Sequence, residues 1–261
     1  MPTKLNIASS QGRSMPPRTI LITGANRGIG FSILQALATH SPSDHFLLAA
    51  RNAKNATLAV EELRKLGLQA EINVIELDVA SEFSIKIAEE RVRKTYGRLD
   101  ILINNAGIAI AEEPDHSNLS RSYAETFNTN ITGVALMMST FLPLMKSTSQ
   151  DPQIINISSA RASLSLSSSG GLPPSRVISY SVSKTALNAL TVEYAKAEPG
   201  VRFHAASPGH CKTAFNGYRG TKDPLDGARV VVELALADKQ KYENGFWQLE
   251  DDAKEAGQVP W

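Results

Sequence analysis

The feature that most constrains the fold is an alternation of short apolar segments with longer amphipathic segments along nearly the whole chain. Over the first hundred residues the two kinds alternate at intervals of roughly 25 residues, as in strand–helix–strand units of parallel sheets. The apolar segments are short and rich in β-branched residues, as buried parallel strands require. This order predicts a single α/β domain, a doubly wound parallel sheet of about seven strands flanked by helices. The predicted strands are 18–23, 45–50, 71–77, 99–103, 153–157, 201–206 and 245–249, and the predicted helices are 31–40, 57–66, 82–96, 122–145, 180–196 and 225–236.

Composition limits the class of protein. The chain has 261 residues, of which 42% are hydrophobic and 20% are charged, and its formal net charge is +1. This length fits one large domain with a well-filled core. The near-zero charge argues against a nucleic-acid or membrane-surface partner, because such binders need a dense basic face. The single cysteine fits a reducing compartment, and the longest apolar stretch, residues 134–145, is too short to span a bilayer. We therefore expect a cytoplasmic protein.

Residues 1–17 precede the first predicted strand. They carry Lys4, Arg13 and several serines, and no acidic residue occurs before Asp44. Organelle transit peptides share this composition, but the prolines and the glycine in the segment would break a long amphipathic helix. We expect a disordered leader followed by one domain over residues 18–261, with a targeting segment as the alternative.

A glycine-rich turn lies between the first strand and the first helix. Gly24, Gly28 and Gly30 follow the pattern Gly-x-x-x-Gly-x-Gly. Glycines let the backbone approach a pyrophosphate closely, and the N-terminus of the next helix presents free N–H groups and the positive end of its dipole. The spacing differs from the commoner Gly-x-Gly-x-x-Gly, and such a turn alone is often only a turn. Between a strand and a helix, however, it predicts a dinucleotide phosphate site.

The residue after the second strand distinguishes the two nicotinamide cofactors. An acid there hydrogen-bonds the ribose 2′-hydroxyl of NADH, whereas a base binds the 2′-phosphate of NADPH. Here the strand ends in Ala50 and is followed by Arg51, and Arg27 in the glycine-rich turn supplies a second cation. No carboxylate occurs at these positions to repel a phosphate, so the pattern favours NADPH.

Tyr180 and Lys184 are four residues apart on a predicted helix, so their side chains share one face. A cation about 5 Å away, at an effective dielectric of about 20, favours the phenolate by about 3 kcal/mol, or roughly two pKa units below the usual value near 10. Such a phenol could donate or accept a proton near neutral pH. The same pair is more often a half-buried ring and a solvated amine, so it indicates catalysis only together with partners.

Five motifs in chain order resemble those of the short-chain dehydrogenase/reductase family. They are Thr23-Gly24 with Gly28-Ile29-Gly30, Asp78-Val79, Asn104-Asn105-Ala106-Gly107, Ser159 after the fifth strand, and Tyr180 with Lys184. Each motif is loose alone, but five in order are specific, and the resemblance covers the chain from Thr19 to about Trp261. It implies a single-domain Rossmann fold and hydride transfer between a nicotinamide and a carbonyl or alcohol. The two arginines and the extra length before Tyr180 are most similar to the carbonyl reductases.

The resemblance also implies roles for individual residues. Tyr180 would protonate the carbonyl oxygen, Ser159 would hydrogen-bond the same oxygen, and Lys184 would lower the pKa of the phenol and hold the nicotinamide ribose. Asn130 would position a water that relays protons to Lys184, and Asp78 would accept a hydrogen bond from the adenine amino group. The residues implied in cofactor binding are Gly24, Asn26, Arg27, Gly28, Ile29, Gly30, Arg51, Asp78, Val79, Asn105, Ala106, Gly107, Tyr180, Lys184, Pro208, Gly209 and Thr213.

The stretch between Ser159 and Tyr180 departs from the family pattern. It places them 21 positions apart, where about 13 is typical of the family, so we expect an insertion over residues 161–177 that reshapes the substrate entrance. Substrate loops are predicted at residues 160–178 and 209–224.

Three further groups of residues have a structural interpretation. The acidic run at residues 112–115 is predicted to be a solvated loop and not a catalytic carboxylate pair. His204 stands where the family commonly has asparagine, and we expect a core or hydrogen-bonded histidine. His210 and Cys211 lack further ligands at suitable spacing, so no metal site is expected.

Together these observations predict an NADPH-dependent reductase of a ketone or aldehyde. Apolar loop residues favour a medium-sized hydrophobic carbonyl as the small-molecule partner; they are Leu164, Leu166, Leu172, Phe215 and Tyr218. One alternative is a cofactor-binding protein with repurposed chemistry (a cyclase, isomerase or redox sensor), for which an incomplete Ser-Tyr-Lys set would be expected, and here the set is complete. Another is an NAD-dependent alcohol dehydrogenase. Monomer and homo-oligomer both stay open, because the helices at 122–145 and 180–196 form the dimer face in many relatives, whereas the insertion resembles that of monomeric ones.

Overall fold

The computed structural model of the protein describes residues 17–261, so the predicted leader lies outside it apart from Pro17. The strands are β1 (Thr19–Thr23), β2 (His45–Ala50), β3 (Glu71–Glu76), β4 (Ile101–Asn104), β5 (Gln153–Ile157), β6 (Arg202–Ser207), β7 (Gly245–Gln248) and β8 (Gly257–Gln258). The helices are α1 (Gly28–His40), α2 (Ala53–Lys65), α3 (Glu82–Tyr96), α4 (Leu119–Phe127), α5 (Gly133–Thr148), α6 (Leu164–Ser168), α7 (Ile178–Ala197) and α8 (Pro224–Leu236). Single turns of other helix types occur at Asn128–Thr132 (π) and at Ala160–Ala162 and Ala214–Asn216 (3₁₀).

The strands form one sheet in the order β3-β2-β1-β4-β5-β6-β7-β8. All neighbours from β3 to β7 are parallel, and only β8 runs antiparallel, along the outer edge of β7. The chain winds outwards from β1 to β3 and then returns to continue from β4 to β7. In such sheets ligands bind beyond the carboxyl ends of the strands, at the point where the winding reverses. The predicted doubly wound Rossmann sheet is therefore confirmed, with a crevice expected between β1 and β4.

Apolar layers cover both faces of the sheet. On β1, Ile20 and Ile22 pack with residues of α1, α2 and α8, whereas Leu21 points to the other face and packs with residues of α3, α5 and α7. Because both faces of each central strand are buried, the strands are continuously apolar and do not alternate with polar residues. Polar side chains are therefore expected after the carboxyl ends of the strands, where they can line the crevice.

Element boundaries differ from the prediction in a few places. The helix expected over residues 122–145 is divided into α4, the π-helical turn and α5. At the start of α5, Gly133 approaches the carbonyl group of Val79 so closely that a Cβ would collide with it. α1 begins at Gly28 and not at residue 31, because the last two glycines form its first turn. The eighth strand has only two residues, too few for any periodic pattern, and α6 lies in a segment that was expected to be a loop.

Within residues 17–261 no helix is long and apolar enough to cross a membrane. The same residues contain no group of three or more His, Cys, Asp or Glu side chains that could hold a metal ion.

Candidate active site

The glycine-rich turn leaves the start of α1 open to an anion. Gly24 and Gly28 both have positive φ, +64° and +58°, which favours glycine. A Cβ on Gly30 would lie 2.6 Å from the carbonyl oxygen of Gly24, so this position excludes any side chain. Among the described residues, no side chain caps the N-terminus of α1, and its first turn contains no acidic residue. Free N–H groups and the positive end of the helix dipole therefore face the crevice.

Hydrogen bonds join the loops that follow β1 and β4. The Thr23 hydroxyl accepts from the backbone N–H groups of Asn105 and Ala106, at 2.9 and 3.0 Å. In return, the side-chain amide of Asn105 donates to the carbonyl groups of Thr23 (2.8 Å) and Gly24 (3.3 Å). These bonds fix the crevice at the point where the sheet reverses. The bonds of Thr23 were not predicted, because they span more than 80 residues of chain.

A cavity of about 380 Å³ lies beyond β2. Arg27 and Arg51 are exposed there, and neither guanidinium has a hydrogen-bond or ion-pair partner among residues 17–261. Glu62 also lines this cavity, so a carboxylate is present beside the two cations, although none stands directly after β2 or in the glycine-rich turn. The sequence could not show this, because Glu62 reaches the cavity from the far end of α2, 11 residues after Arg51. The lining residues are Asn26, Arg27, Ala50, Arg51, Asn52, Asn55, Leu58, Ala59 and Glu62.

Asp78 lies just after β3 and keeps part of its carboxylate unused. Its Oδ1 accepts from the backbone N–H of Ala80 at 3.0 Å, and its own N–H donates to the Ser84 hydroxyl at 2.9 Å. Val79 beside it is buried under Gly133 of α5. The segment is thus held in place while the second carboxylate oxygen stays available to a ligand.

Tyr180, Lys184 and Ser159 lie together at the carboxyl end of β5. The Lys184 Nζ lies 5.6 Å from the centroid of the Tyr180 ring and donates to the carbonyl oxygen of Ile157 at 2.6 Å. The Ser159 hydroxyl lies beside Tyr180, where it lowers the pKa of the phenol, and it accepts from the backbone N–H of Arg161 at 3.3 Å. A phenol, an ammonium and a hydroxyl therefore form one polar cluster beyond the end of β5.

Burial has opposite effects on the two titratable groups of this cluster. It raises the pKa of Tyr180 to about 12, against the smaller lowering effects of the Ser159 hydrogen bond and the Arg161 charge. It lowers the pKa of Lys184 to about 8. The expected lowering of the Tyr180 pKa by Lys184 is therefore not found, because burial dominates and the smaller lowering effects come from Ser159 and Arg161. At pH 7 both groups carry their protons, which is the state that a proton donor needs.

Asn130 is buried in the π-helical turn and connects two parts of the site. Its Oδ1 accepts from the backbone N–H of Ile108, and its Nδ2 donates to the Ile108 carbonyl oxygen, both at 2.9 Å. Its Nδ2 also donates to the Ser183 hydroxyl at 3.0 Å, which in turn donates to the Tyr180 carbonyl oxygen at 2.7 Å. Both amide hydrogens are therefore in use. A water held by Asn130 could bind only to one of its carbonyl oxygens.

The loop after β6 returns to the glycine-rich turn. A Cβ on Gly28 would lie 3.7 Å from the buried Thr213 side chain, so the two segments are neighbours. The next turn places the Phe215 ring against the Tyr180 ring, with centroids 5.6 Å apart and planes tilted by 60°. At the base of the loop, Cys211 is buried, and burial raises the pKa of its thiol to about 11, so it stays protonated at neutral pH.

Comparison with known proteins identifies the family. A sequence model described as short chain dehydrogenase matches residues 18–224. The chain belongs to the short-chain dehydrogenase/reductase family.

It is 35% identical over 262 residues to a short-chain dehydrogenase/reductase of Aspergillus fumigatus, covering 94% of this chain and 97% of the relative. It is 31% identical to the (+)-neomenthol dehydrogenase of Arabidopsis thaliana, over 88% of this chain and 95% of that one. The NADPH-bound carbonyl reductase from chicken fatty liver superposes with a TM-score of 0.80 at 27% identity, covering 95% of this chain and all of that one. The predicted family is therefore confirmed, and the protein is an oxidoreductase of that family.

The residues that carry the family resemblance come together at one edge of the sheet. Those predicted to bind the cofactor follow the carboxyl ends of β1 to β4 and β6 or lie on α1 and α7, and Ser159 follows β5.

The leucines predicted to form an apolar substrate entrance differ in how far they are exposed. Leu164 is 65% exposed, whereas Leu166 packs partly against a small cluster that contains Phe246 and Val259. Trp261 supports this packing, because its ring stacks on Phe246 and its carbonyl oxygen accepts from the backbone N–H of Ser165.

The acidic run is only partly a solvated loop. Glu113 and Asp115 are exposed, but Glu112 is half-buried, and its carboxylate accepts from the backbone N–H groups of Ile178 and Ser179, both at 2.7 Å. The prediction was therefore wrong for Glu112. Sequence reasoning missed it because the contact spans 66 and 67 residues. His204 is fully buried on β6, as expected, and burial lowers its pKa to about 3.

Proposed function

We propose that this enzyme reduces a ketone or aldehyde to an alcohol and that NADPH supplies the hydride. The observation that carries the proposal is the cluster of Tyr180, Ser159 and Lys184 at the crevice. Tyr180 carries its proton at neutral pH, since its pKa of about 12 lies far above 7, so it is in the protonation state of a donor. Lys184 is cationic below a pKa of about 8 and can bind ribose hydroxyls.

The preference for NADPH rests on the cavity beyond β2. Its exposed Arg27 and Arg51 have no partner within the described residues, so a 2′-phosphate would find two guanidinium groups. The glycine-rich turn fits the pyrophosphate, because Gly30 leaves room for no side chain and the α1 N-terminus is open. The NADPH-bound chicken carbonyl reductase, a fold relative, supports the same choice.

In the proposed mechanism each polar side chain has a separate task. Tyr180 donates its proton to the substrate oxygen as hydride reaches the adjacent carbon. Ser159 hydrogen-bonds the same oxygen and stabilises the negative charge that develops there. Lys184 and a water held at a carbonyl oxygen of Asn130 return a proton to the Tyr180 phenolate. The Asn130 side chain is fixed by Ile108 and Ser183. When bound, NADPH supplies the hydride.

A medium-sized hydrophobic carbonyl is the proposed substrate class. Phe215 lies against Tyr180 and is 50% exposed, and Tyr218 in the same loop is 63% exposed. Apolar rings beside a proton donor would bind a hydrocarbon skeleton and exclude water from the reacting oxygen. The similarity to an enzyme named (+)-neomenthol dehydrogenase supports this class. We propose a cytoplasmic location on the basis of the single cysteine, which is free and buried.

An NAD-dependent alcohol dehydrogenase is the second candidate, and Glu62 is the observation that favours it. A carboxylate in the cavity beyond β2 would repel a 2′-phosphate, although Glu62 stands on α2 and not directly after β2, where NAD enzymes carry the acid that binds ribose hydroxyls. The two arginines outnumber Glu62 in that cavity, so NADPH remains the proposed cofactor. Repurposed chemistry on the same fold is disfavoured, because the Ser-Tyr-Lys set is complete.

The first experiment is a titration of the purified protein with NADPH and with NADH, followed at 340 nm by turnover with a panel of ketones, aldehydes and quinones. Tighter binding of NADPH with turnover supports the proposal and begins to define the pocket. Tighter binding of NADH with alcohol oxidation supports the second candidate. Binding of NADPH without turnover on any carbonyl contradicts the proposed reaction, and binding of neither cofactor contradicts the assignment of the glycine-rich turn.

A further inference from the structure

The helix that carries Tyr180 and Lys184 does not cap its own N-terminus. Its N-cap residue, Val177, has no side-chain hydrogen-bonding group, and the first turn of α7 contains no acidic residue. Valine is among the poor N-cap residues, because it cannot accept from the free N–H groups of the first turn. Tyr180 is the third residue of α7, so it lies in the part of the helix that most needs such support.

Glu112 provides the missing cap from a distant part of the chain. Its two carboxylate oxygens accept separately, Oε2 from the N–H of Ile178 and Oε1 from the N–H of Ser179, each at 2.7 Å. These are the first two residues of α7. Hydrogen bonds from a helix N-terminus to an ionised carboxylate are short and strong, and the charge also favours the positive end of the helix dipole.

The carboxylate stays ionised over the physiological range. Burial raises the pKa of Glu112, but the hydrogen bonds from Ser179 and Ile178 together outweigh it, and the net direction is downward. The cap therefore does not depend on a narrow range of pH.

Glu112 also links α7 to two other parts of the site. Its backbone N–H donates to the carbonyl oxygen of Arg176 at 3.1 Å, at the end of the insertion. It lies four residues after Ile108, which forms both backbone hydrogen bonds to the Asn130 side chain. Glu112 thus joins the segment after β4 to the end of the insertion through its backbone N–H and to the first turn of the catalytic helix through its carboxylate.

We propose that Glu112 is a positioning residue, which fixes the first turn of α7 so that Tyr180 holds its phenol at the substrate oxygen. It acts through the helix backbone and does not touch the reacting atoms. The proposal rests on the proposed function, since it assigns to Glu112 the alignment of the donor in that reaction. Glu112 also links the substrate entrance to the catalytic helix, because its backbone N–H donates to the carbonyl oxygen of Arg176.

The test compares Glu112→Ala and Glu112→Gln with the control Glu113→Ala. Alanine removes both acceptors, whereas glutamine keeps one acceptor oxygen and the side-chain length. Glu113 is the matched control, because it is the adjacent acid, is exposed, and its carboxylate has no hydrogen-bond partner within residues 17–261. In Glu112→Ala we expect turnover with a carbonyl substrate to fall roughly 10- to 100-fold, since a displacement near 1 Å has such an effect. The Kd for NADPH should change less than about twofold, Glu112→Gln should recover part of the loss, and Glu113→Ala should match the wild type.

Hydrogen–deuterium exchange provides a readout that does not need activity. In Glu112→Ala and Glu112→Gln, peptides that cover residues 176–184 should exchange faster than in the wild type, while peptides from β1 and β4 stay unchanged. Unchanged exchange at residues 176–184 overturns the proposal, and so does unchanged turnover in a folded Glu112→Ala variant. A rise in KM alone, with normal turnover, also overturns it, because Glu112 would then act only on the substrate entrance.

Failure of the proposed function can be told apart from failure of this proposal. If the wild type reduces no carbonyl, the proposed function fails, and exchange at residues 176–184 still decides whether Glu112 fixes α7. Faster exchange at residues 176–184 in both variants than in the wild type supports the positioning role of Glu112, and equal exchange overturns it. If Glu112→Ala does not fold, Glu112→Gln gives the same comparison with one acceptor retained.

Discussion

Replacing Arg51 by alanine is expected to weaken NADPH binding and leave NADH binding nearly unchanged. A hydrogen bond to a charged group contributes about 1.5–3 kcal/mol. Arg51 is exposed at the cavity beyond β2, so solvent screening moves the expected loss towards about 1–2 kcal/mol, or roughly a 5- to 30-fold rise in Kd. Arg27 lines the same cavity and would share the same phosphate. The double variant should therefore lose less than the sum of the two single variants.

The assay is a fluorescence titration with NADPH and NADH at two salt concentrations. Arg91→Ala serves as the control, because it removes the same charge from an exposed position on α3, away from the carboxyl ends of the strands. The loss of NADPH affinity in Arg51→Ala should shrink at high salt, since the contact is between exposed charges. Equal weakening of NADPH and NADH would show that Arg51 is structural, and no effect on either would place the 2′-phosphate elsewhere.

Three further predictions concern the catalytic cluster and the sheet core. Tyr180→Phe should lower turnover by about 10² to 10⁴ while NADPH titration stays near normal, and equal turnover would refute the proton-donor role. Arg161→Leu removes a positive charge that lowers the pKa of Tyr180, so the phenol becomes a weaker acid and turnover should fall about three- to tenfold, with an unchanged rate refuting the effect. His204 has a folded pKa of about 3, below the unfolded value near 6.5, so its contribution to stability is complete above about pH 6.5 and is lost as pH falls towards 3. At pH 5 this loss is about 2 kcal/mol, and His204→Asn should reduce the difference between urea unfolding at pH 7.5 and pH 5; an unchanged difference would contradict the argument.

Local signals in the sequence were sufficient for most of the fold. The predicted boundaries of α3 are found because they depend on two residues. Ser81 caps the start by accepting from the N–H of Ser84, and Gly97 ends the helix with φ of +69°. The parallel strands were equally predictable, since burial on both faces requires continuous apolar residues. Each of these features can be read from a few neighbouring residues.

Features that depend on distant contacts could not be predicted. Nothing near Glu112 in sequence indicates that it caps a helix 66 residues later, and nothing near Glu62 indicates that it lines the cavity of Arg51. The π-helical turn that places Asn130 is similar, because it is held by Ile108 and Ser183, which are 22 and 53 residues away. The contacts of Glu112, Glu62, Ile108 and Ser183 were missed for one reason, since they are set by tertiary packing and not by local propensity.

The pKa of Tyr180 shows how such packing changes the chemistry. Considered alone, the pair with Lys184 suggested a phenol that could act as acid or base near neutral pH. With burial included, the Tyr180 pKa of about 12 is five units above pH 7, so removing its proton would cost about 7 kcal/mol. Donating that proton to a developing alkoxide has no such cost, because an alkoxide is the stronger base. In the reverse reaction Tyr180 would begin as the phenolate, which is scarce at pH 7. Packing therefore sets which protonation state of Tyr180 is populated, whereas the two directions of the reaction share one transition state, so the ratio of cofactor and substrate forms decides the direction.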